Sequence, residues 1–280
     1  MQGRFKQIFF IFICLFYFNK TLALVEPLPV SAFASLPGVE QVILSPNGES
    51  IASIVRSTIG NETVSVLTVL DIKTNQTKSL LHTDNTKFKF DWIRWANDNQ
   101  ILISSDFPDY RDATKSVEKR LLVLNVDTKE VRNVWPKDLI SGFEYTPQFQ
   151  NKIVDMLPGD ENHILMELDG IMRNSSKLFK VSLKEVKAKA VQRSKKYVRH
   201  WMVDRQKNVR ILTQVKDSTY QILHRFNDDQ DWNSLWEFEA FSDEGVWPLG
   251  FDRDVNILYV QALHNNFNAI FKVDLRDSKL

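Results

Sequence analysis

Apolar and polar positions alternate with a period of two along most of this chain, and short clusters of Asn, Asp, Gly and Lys interrupt the runs. Successive side chains of a strand point to opposite faces, so the pattern predicts short β-strands joined by tight turns. Past the first 23 positions, apolar residues seldom recur at i, i+3 and i+4. Helical solenoids are therefore disfavoured.

The alternating runs also repeat. LTVLDIKTNQTKSL (67–80), LLVLNVDTKEVRNV (121–134), LFKVSLKEVKAKAV (178–191) and IFKVDLRDSKL (270–280) each read as a strand and a polar turn, followed in all but the last by a second strand. Each is preceded by two apolar runs around a short turn, as in VILSPNGESIASIV, IRWANDNQILIS, VDMLPGDENHILMEL and LGFDRDVNILYVQA, and WMVDRQKNVRILTQV has the same form. Taking Ile51, Leu102, Leu165, Ile211 and Leu258 as equivalent gives spacings of 51, 63, 46 and 47 residues. About four strands per period of that length is the signature of β-propeller blades.

The expected fold is thus all-β, a propeller of about five blades of four antiparallel strands, with blades at 39–81, 88–135, 149–192 and 199–240 and a fifth from 246. Only about three strands of the fifth fit before Leu280, so the ring is expected to be unfinished. An open ring leaves strand edges and apolar blade faces uncovered, which predicts self-association or a missing remainder.

The first residues change the picture of the chain's location. Arg4 and Lys6 precede an apolar run (8–18) containing Cys14, and Thr21, Leu22 and Ala23 place small residues where a signal peptidase reads. We expect a secretory signal over 1–23, cleaved between Ala23 and Leu24, and a propeller domain over 24–280. Eleven apolar residues are too few to span a bilayer core, which needs about 20 in a helix, so no membrane span is expected after cleavage.

Cleavage removes Arg4, Lys6 and Lys20 and takes the formal charge from +1 to −2. That balance gives no electrostatic basis for nucleic-acid binding. It also removes the single cysteine, and with it disulfides, thiolate metal sites and a cysteine nucleophile. Export without a disulfide framework fits a bacterial envelope, most simply the periplasm. The sequons at Asn61, Asn75 and Asn174 then read as chance matches on loops.

Candidate chemistry is sparse. The five histidines, His82, His163, His200, His224 and His264, lack metal-ligand spacing and read as surface or strand-end residues. Ser104 and Ser105 fall at a strand end, and Ser175 and Ser176 in a polar turn. Trp92, Trp95, Trp201, Trp236 and Trp247 read as fillers between blades, while Trp232, in an acidic loop, is the one expected to be exposed. The lysines around Lys187 and Lys189 read as solvated protection of an outer strand.

No metal site and no cofactor is expected. The insertion 106–119 lengthens a hairpin of blade two, and long loops on rigid scaffolds are often functional. Asp109, Tyr110 and Arg111 are the substrate-facing candidates: Arg111 suits a peptide carboxylate and Tyr110 suits stacking.

The order LPGVEQVILSPNGESIASI, WANDNQILIS, RLLVLNVDT, PGDENHILMEL, WMVDRQKNVRI, PLGFDRDVNILYVQA, over 28–280, resembles the N-terminal propeller of exported bacterial peptidases of the prolyl oligopeptidase family, of the dipeptidyl or acylaminoacyl peptidase type. The resemblance implies a seven- or eight-bladed propeller that filters substrates for a C-terminal α/β-hydrolase domain carrying a Ser, Asp, His triad. The nucleophile of that family sits in a Gly-x-Ser-x-Gly elbow, and these 280 residues contain none.

The expectation is therefore the propeller portion of such a peptidase without its catalytic domain, inactive alone, with a peptide substrate or a separate hydrolase domain or chain as partner. The alternative is a stand-alone envelope propeller that binds a peptide or protein. A propeller hydrolase of the lactonase or sialidase type is disfavoured, because the Asp-box is absent and no acidic cluster marks a channel metal.

Overall fold

A computed structural model describes residues 28–34, 37–111, 113–169, 171–172, 174–227 and 230–277, without the side chains of 31, 34 and 111. The expected signal and its cleavage point between Ala23 and Leu24 lie outside the described residues. A short helix, α1 (Val30–Ala34), belongs to an N-terminal unit ending at Pro37, and everything that follows concerns the second unit, from Gly38 onward.

That unit consists of consecutive antiparallel sheets. The first holds β1 (Val39–Leu44), β2 (Ser50–Ile59), β3 (Glu62–Asp71) and β4 (Gln76–Thr83), and the second β5 (Lys89–Asn97), β6 (Gln100–Arg111), β7 (Thr114–Asn125) and β8 (Val131–Asn133). A turn of helix, α2 (Lys137–Ile140), and a short strand, β9 (Phe149–Gln150), lead to the third sheet, β10 (Ile153–Asp155), β11 (His163–Leu168), β12 (Ser175–Ser182) and β13 (Ala188–Lys196). The fourth has β14 (Val198–Val203), β15 (Val209–Lys216), β16 (Thr219–His224) and β17 (Asn233–Glu239). The fifth has three described strands, β18 (Val246–Phe251), β19 (Ile257–His264) and β20 (Phe267–Asp274). Apart from β9, each strand pairs with its sequence neighbour within its sheet, as in the blades of a β-propeller.

The repeated polar turn has a repeated cause. In the sheets that keep it, the last residue of the third strand accepts a backbone N–H from two or three residues on: Thr74 N–H donates to Asp71 Oδ1 (2.8 Å), Thr128 N–H to Asn125 Oδ1 (2.9 Å), Glu185 N–H to Ser182 Oγ (3.0 Å) and Arg276 N–H to Asp274 Oδ1 (3.0 Å). Short Asp, Asn and Ser side chains mimic the backbone at such turns. In the SPNG turn, Gly48 alone takes the left-handed conformation (φ +72°), while Asn47 Oδ1 accepts from Glu49 N–H and Ser45 Oγ–H.

Four apolar cores lie between successive sheets. Ala52, Leu67 and Val69 meet Ile101, Ile103 and Leu124; Leu102, Val123 and Trp135 meet Ile164, Met166 and Phe179. Leu165 and Leu178 meet Trp201 and Leu212, and Ile211, Ile222 and Phe238 meet Leu258, Val260 and Val273. A central blade thus buries both faces, which explains the near-continuous apolar runs ILIS and HILMEL.

The five aligned residues all fall on the second strand of their sheet. Leu102, Leu165 and Ile211 face the following sheet, whereas Leu258 packs on the preceding one, and in the first sheet Ala52 rather than Ile51 enters the core. The first and last copies are one residue out of step, and a one-residue shift transfers a side chain to the other face.

Two boundaries differ from expectation. Phe149 does not open the third sheet: β9 runs parallel to β7, pairing Phe149 with Lys119 and Gln150 with Arg120. The residues 106–119 are not a loose loop either, because β6 and β7 stay paired in register out to Arg111 and Thr114. Residue 113 supplies a positive φ (+61°) at the tip, so the insertion continues the two strands as a ribbon.

Candidate functional site: a cleft beside the long hairpin

The ribbon roots itself through two polar clusters on opposite faces of β7. On one face, Lys119 Nζ donates to Asp106 Oδ1 (2.7 Å) and Asp91 Oδ2 (2.9 Å), Ser104 Oγ–H donates to the same Asp91 oxygen, and Asn151 Nδ2 donates to Ser104 Oγ. Burial weighs against the Lys119 ammonium, but the bonds to Asp106 and Asp91 overcome it and hold its pKa above the ordinary lysine value.

The other face carries Glu118 and Arg120, two residues apart as strand alternation requires. Arg120 Nε donates to Glu118 Oε1 (2.6 Å), and Gln150 Nε2 donates to the same oxygen (3.0 Å) and to Pro147 O. The Arg120 guanidinium lies 4.3 Å from the Phe107 ring centre, and Phe107 stacks on Phe88.

This second face opens on a cavity of about 780 Å³. Its walls come from the ribbon (Asp109, Glu118, Arg120) and from the connection to the third sheet, including Trp135, Lys137, Phe143, Tyr145 and Gln150. The connection is held by local bonds: Trp135 N–H to Asn133 Oδ1 (3.0 Å), Leu139 N–H to Pro136 O (3.0 Å) and Phe143 N–H to Ile140 O (3.1 Å).

Trp135 is 1% exposed and packs edge-on against Phe179, 5.2 Å between ring centres, yet its indole N–H has no acceptor among the described residues. Buried donors are nearly always paired, and this one, beside the cavity, is an exception. The cleft therefore offers carboxylates, cations, an amide, an indole donor and two aromatic rings around one volume. That mixture suits an extended peptide, whose backbone presents donors and acceptors together.

Of the three candidate residues, Asp109 lines this cleft, and Tyr110 is exposed (67%). Arg111 lies at the end of β6, and its side chain is outside the described residues. Glu118, Arg120, Trp135 and Gln150 were not singled out from the sequence. The first two lie in the polar half of β7, TKSVEKR, where their charge does not set them apart from Lys115 and Lys119.

Other expectations shift. Ser175 and Ser176 are buried on β12 and do not form a polar turn; Trp201 Nε1–H donates to Ser176 Oγ (3.0 Å). Among the described residues no serine is bonded to a histidine. His224 ends its strand as expected but is buried, with neither ring nitrogen partnered among the described residues.

Trp232 is half-buried against the core between the third and fourth sheets, 6.1 Å from Trp201 and with Arg225 over its ring. Trp247, at 40%, is the most exposed tryptophan among the described residues. Most of the others fill blade interfaces, and Trp135, which the pattern did not mark, is among the most buried.

The fold is a β-propeller with a walled cleft on its second blade. Among solved structures the chain is similar to a prolyl endopeptidase (14% identity, TM-score 0.54, over 85% of this chain and 34% of that one) and to dipeptidyl peptidase 4 of Porphyromonas gingivalis (12%, 0.54, over 86% and 38%). It is also similar to an oligogalacturonate lyase solved with manganese (9%, 0.53, over 85% and 66%). The chain spans little more than a third of the length of either peptidase. These likenesses establish a β-propeller fold, which peptidases and a lyase share, and a fold by itself does not assign chemistry. No family model and no curated protein matches the sequence.

Proposed function

We propose that these residues form the substrate-selecting propeller of a prolyl oligopeptidase-like serine peptidase, exported to the bacterial envelope, in which the reaction belongs to a hydrolase domain outside these 280 residues. The observation that carries this reading is the mixed polar and aromatic cleft walled by Glu118, Arg120, Trp135 and Gln150, on a propeller whose fold recurs in two peptidases. In this role the propeller holds a peptide by main-chain hydrogen bonds and limits what reaches the catalytic domain.

The reading has direct tests. The purified chain should leave chromogenic dipeptide and acyl-peptide substrates uncleaved and take no label from a fluorophosphonate probe, while binding short peptides saturably. Labelling of a specific serine would sink it. Peptide binding that survives Arg120→Ala and Trp135→Phe together would remove the cleft from the argument. Mass spectrometry of the exported protein should find Leu24 at the N-terminus.

A stand-alone envelope propeller that binds a peptide or protein is the second reading, and the same cleft supports it. A stable, monodisperse species in sedimentation would favour it, since uncovered blade faces promote association.

A further inference from the structure

We propose a second binding site, for a small ligand carrying an oxyanion, where the first turns of blades three, four and five converge. Two cavities of about 420 and 450 Å³ lie there and share two wall residues, Arg205 and Phe251. Lys207 lines the first and Arg253 the second, so each lobe has its own cation beside the shared one.

The carboxylates around the groove are already engaged. Asp204 Oδ1 accepts from Gln206 N–H (2.8 Å) and Asn208 N–H (2.9 Å), and its Oδ2 accepts from Arg210 Nη1 (3.2 Å) and Asn208 Nδ2 (3.3 Å). Asp155 accepts from Leu157 N–H (2.6 Å), and Asp252 from Tyr259 Oη–H (2.7 Å) and Arg253 N–H (2.5 Å). Arg205, Lys207 and Arg253 are exposed and make no ion pair among the described residues. The acids are thus turned to the fold's own donors, while the cations are left to the groove.

A further observation points the same way. Arg210 is buried beside the groove, 5.4 Å from the ring centre of Phe251, and its Nη2 has no partner among the described residues. Asp204 balances the charge of that guanidinium, so the positive charge left to the groove is that of the exposed Arg205, Lys207 and Arg253.

The planar guanidinium of Arg205 matches a carboxylate or phosphate with two parallel hydrogen bonds. Phe251, Leu249 and Tyr259 supply an apolar surface for the rest of the ligand. The geometry fits an oxyanion on Arg205 and an apolar group against Phe251. It is independent of the blade-two cleft.

The test is calorimetric titration of the full chain at low salt with phenylpropionate, its neutral amide and inorganic phosphate. Phenylpropionate should bind saturably, its amide about tenfold more weakly or worse, and Arg205→Ala should lose about tenfold in affinity. Arg253→Ala and Lys207→Ala should each lose severalfold, and Lys184→Ala nothing. All four side chains are exposed, so unchanged melting of each variant separates lost binding from lost fold. Tighter binding of phosphate than of carboxylate would support the site and name its source as a phosphate ester. Equal binding of acid and amide, an unaffected Arg205→Ala, or no saturable binding of any probe would overturn it.

Discussion

Arg210 Nη1 donates to Asp204 Oδ2 across 3.2 Å inside blade four, with 2% and 0% of the two side chains exposed. Counting from the Asn that precedes each second strand (Asn99, Asn162, Asn208, Asn256), Arg210 stands where the other blades carry Ile101, Ile164 and Leu258. A buried guanidinium is tolerable there because Asp204 neutralises it and the carbonyl of Arg225 accepts its Nε–H (2.6 Å).

Removing one partner leaves an uncompensated buried charge. Asp204→Ala should destabilise the protein by about 3–5 kcal/mol, whereas the pair Asp204→Leu with Arg210→Met should cost much less than either single change. Urea unfolding followed by tryptophan fluorescence measures both. A double variant no better than the singles would count against the pair as the cause.

Trp135→Phe separates stability from binding. The indole N–H has no acceptor among the described residues, so relief of that buried donor should offset part of the packing lost with the larger ring, and the change should cost about 1 kcal/mol or less. Peptide affinity should fall by the same order if a ligand carbonyl is the missing acceptor. Thermal melts and peptide titration of one variant give both numbers.

His224 should make stability depend on pH. Burial first, and then the charge of Arg210, lower its pKa, so the fold holds the neutral ring while the unfolded chain protonates near the ordinary histidine value of about 6.5. Stability from this residue is complete above that value and declines as pH falls below it, by up to about 1.4 kcal/mol per pH unit until the folded ring also protonates. Unfolding midpoints between pH 7.5 and 5, read for the parent and His224→Phe, should diverge in that direction (about 1.4 kcal/mol per unit at most).

Glu167 titrates with the opposite consequence for stability. It is buried on β11 beside Lys152 (3.6 Å), and burial raises its pKa although Lys152 opposes the shift. Stability from the protonated carboxyl is present below the ordinary glutamate value and lost as pH rises through the folded one. Glu167→Gln should therefore gain about 1 kcal/mol at neutral pH, and the gain should vanish in acid. Denaturation at two pH values is sufficient to check it.

Leu102 fills the core between blades two and three. Leu102→Ala should cost about 2–5 kcal/mol, as truncations in closed cores do. A loss under 1 kcal/mol would mean that the blade interface is not closed there.

Much of the fold was legible because strand alternation and turn chemistry are local. The turns at Asp71, Asn125, Ser182 and Asp274 are written in the residues that cap them, and each second strand was located, although that of blade two runs past its expected end at Ser104 and Ser105 to Arg111. Face assignment was less secure: at Ile51 and Leu258 a one-residue offset, invisible in an apolar run, decides which neighbouring blade is touched. The ribbon of β6 and β7 looked like a loop because DFPDYRDATKSVEK is polar, yet its pairing relies on backbone hydrogen bonds that composition does not report.

The sequence by itself determined a chain of four-stranded units, their order and their turns, because each depends on contacts within about fifty residues. Only the tertiary structure decided where chemistry gathers. Glu118, Trp135 and Gln150 meet across 32 residues through the parallel pairing of β9 with β7, and Arg205 meets Phe251 through the packing of one blade on the next. Periodicity specifies which face a side chain occupies. It does not specify what the neighbouring blade brings to that face.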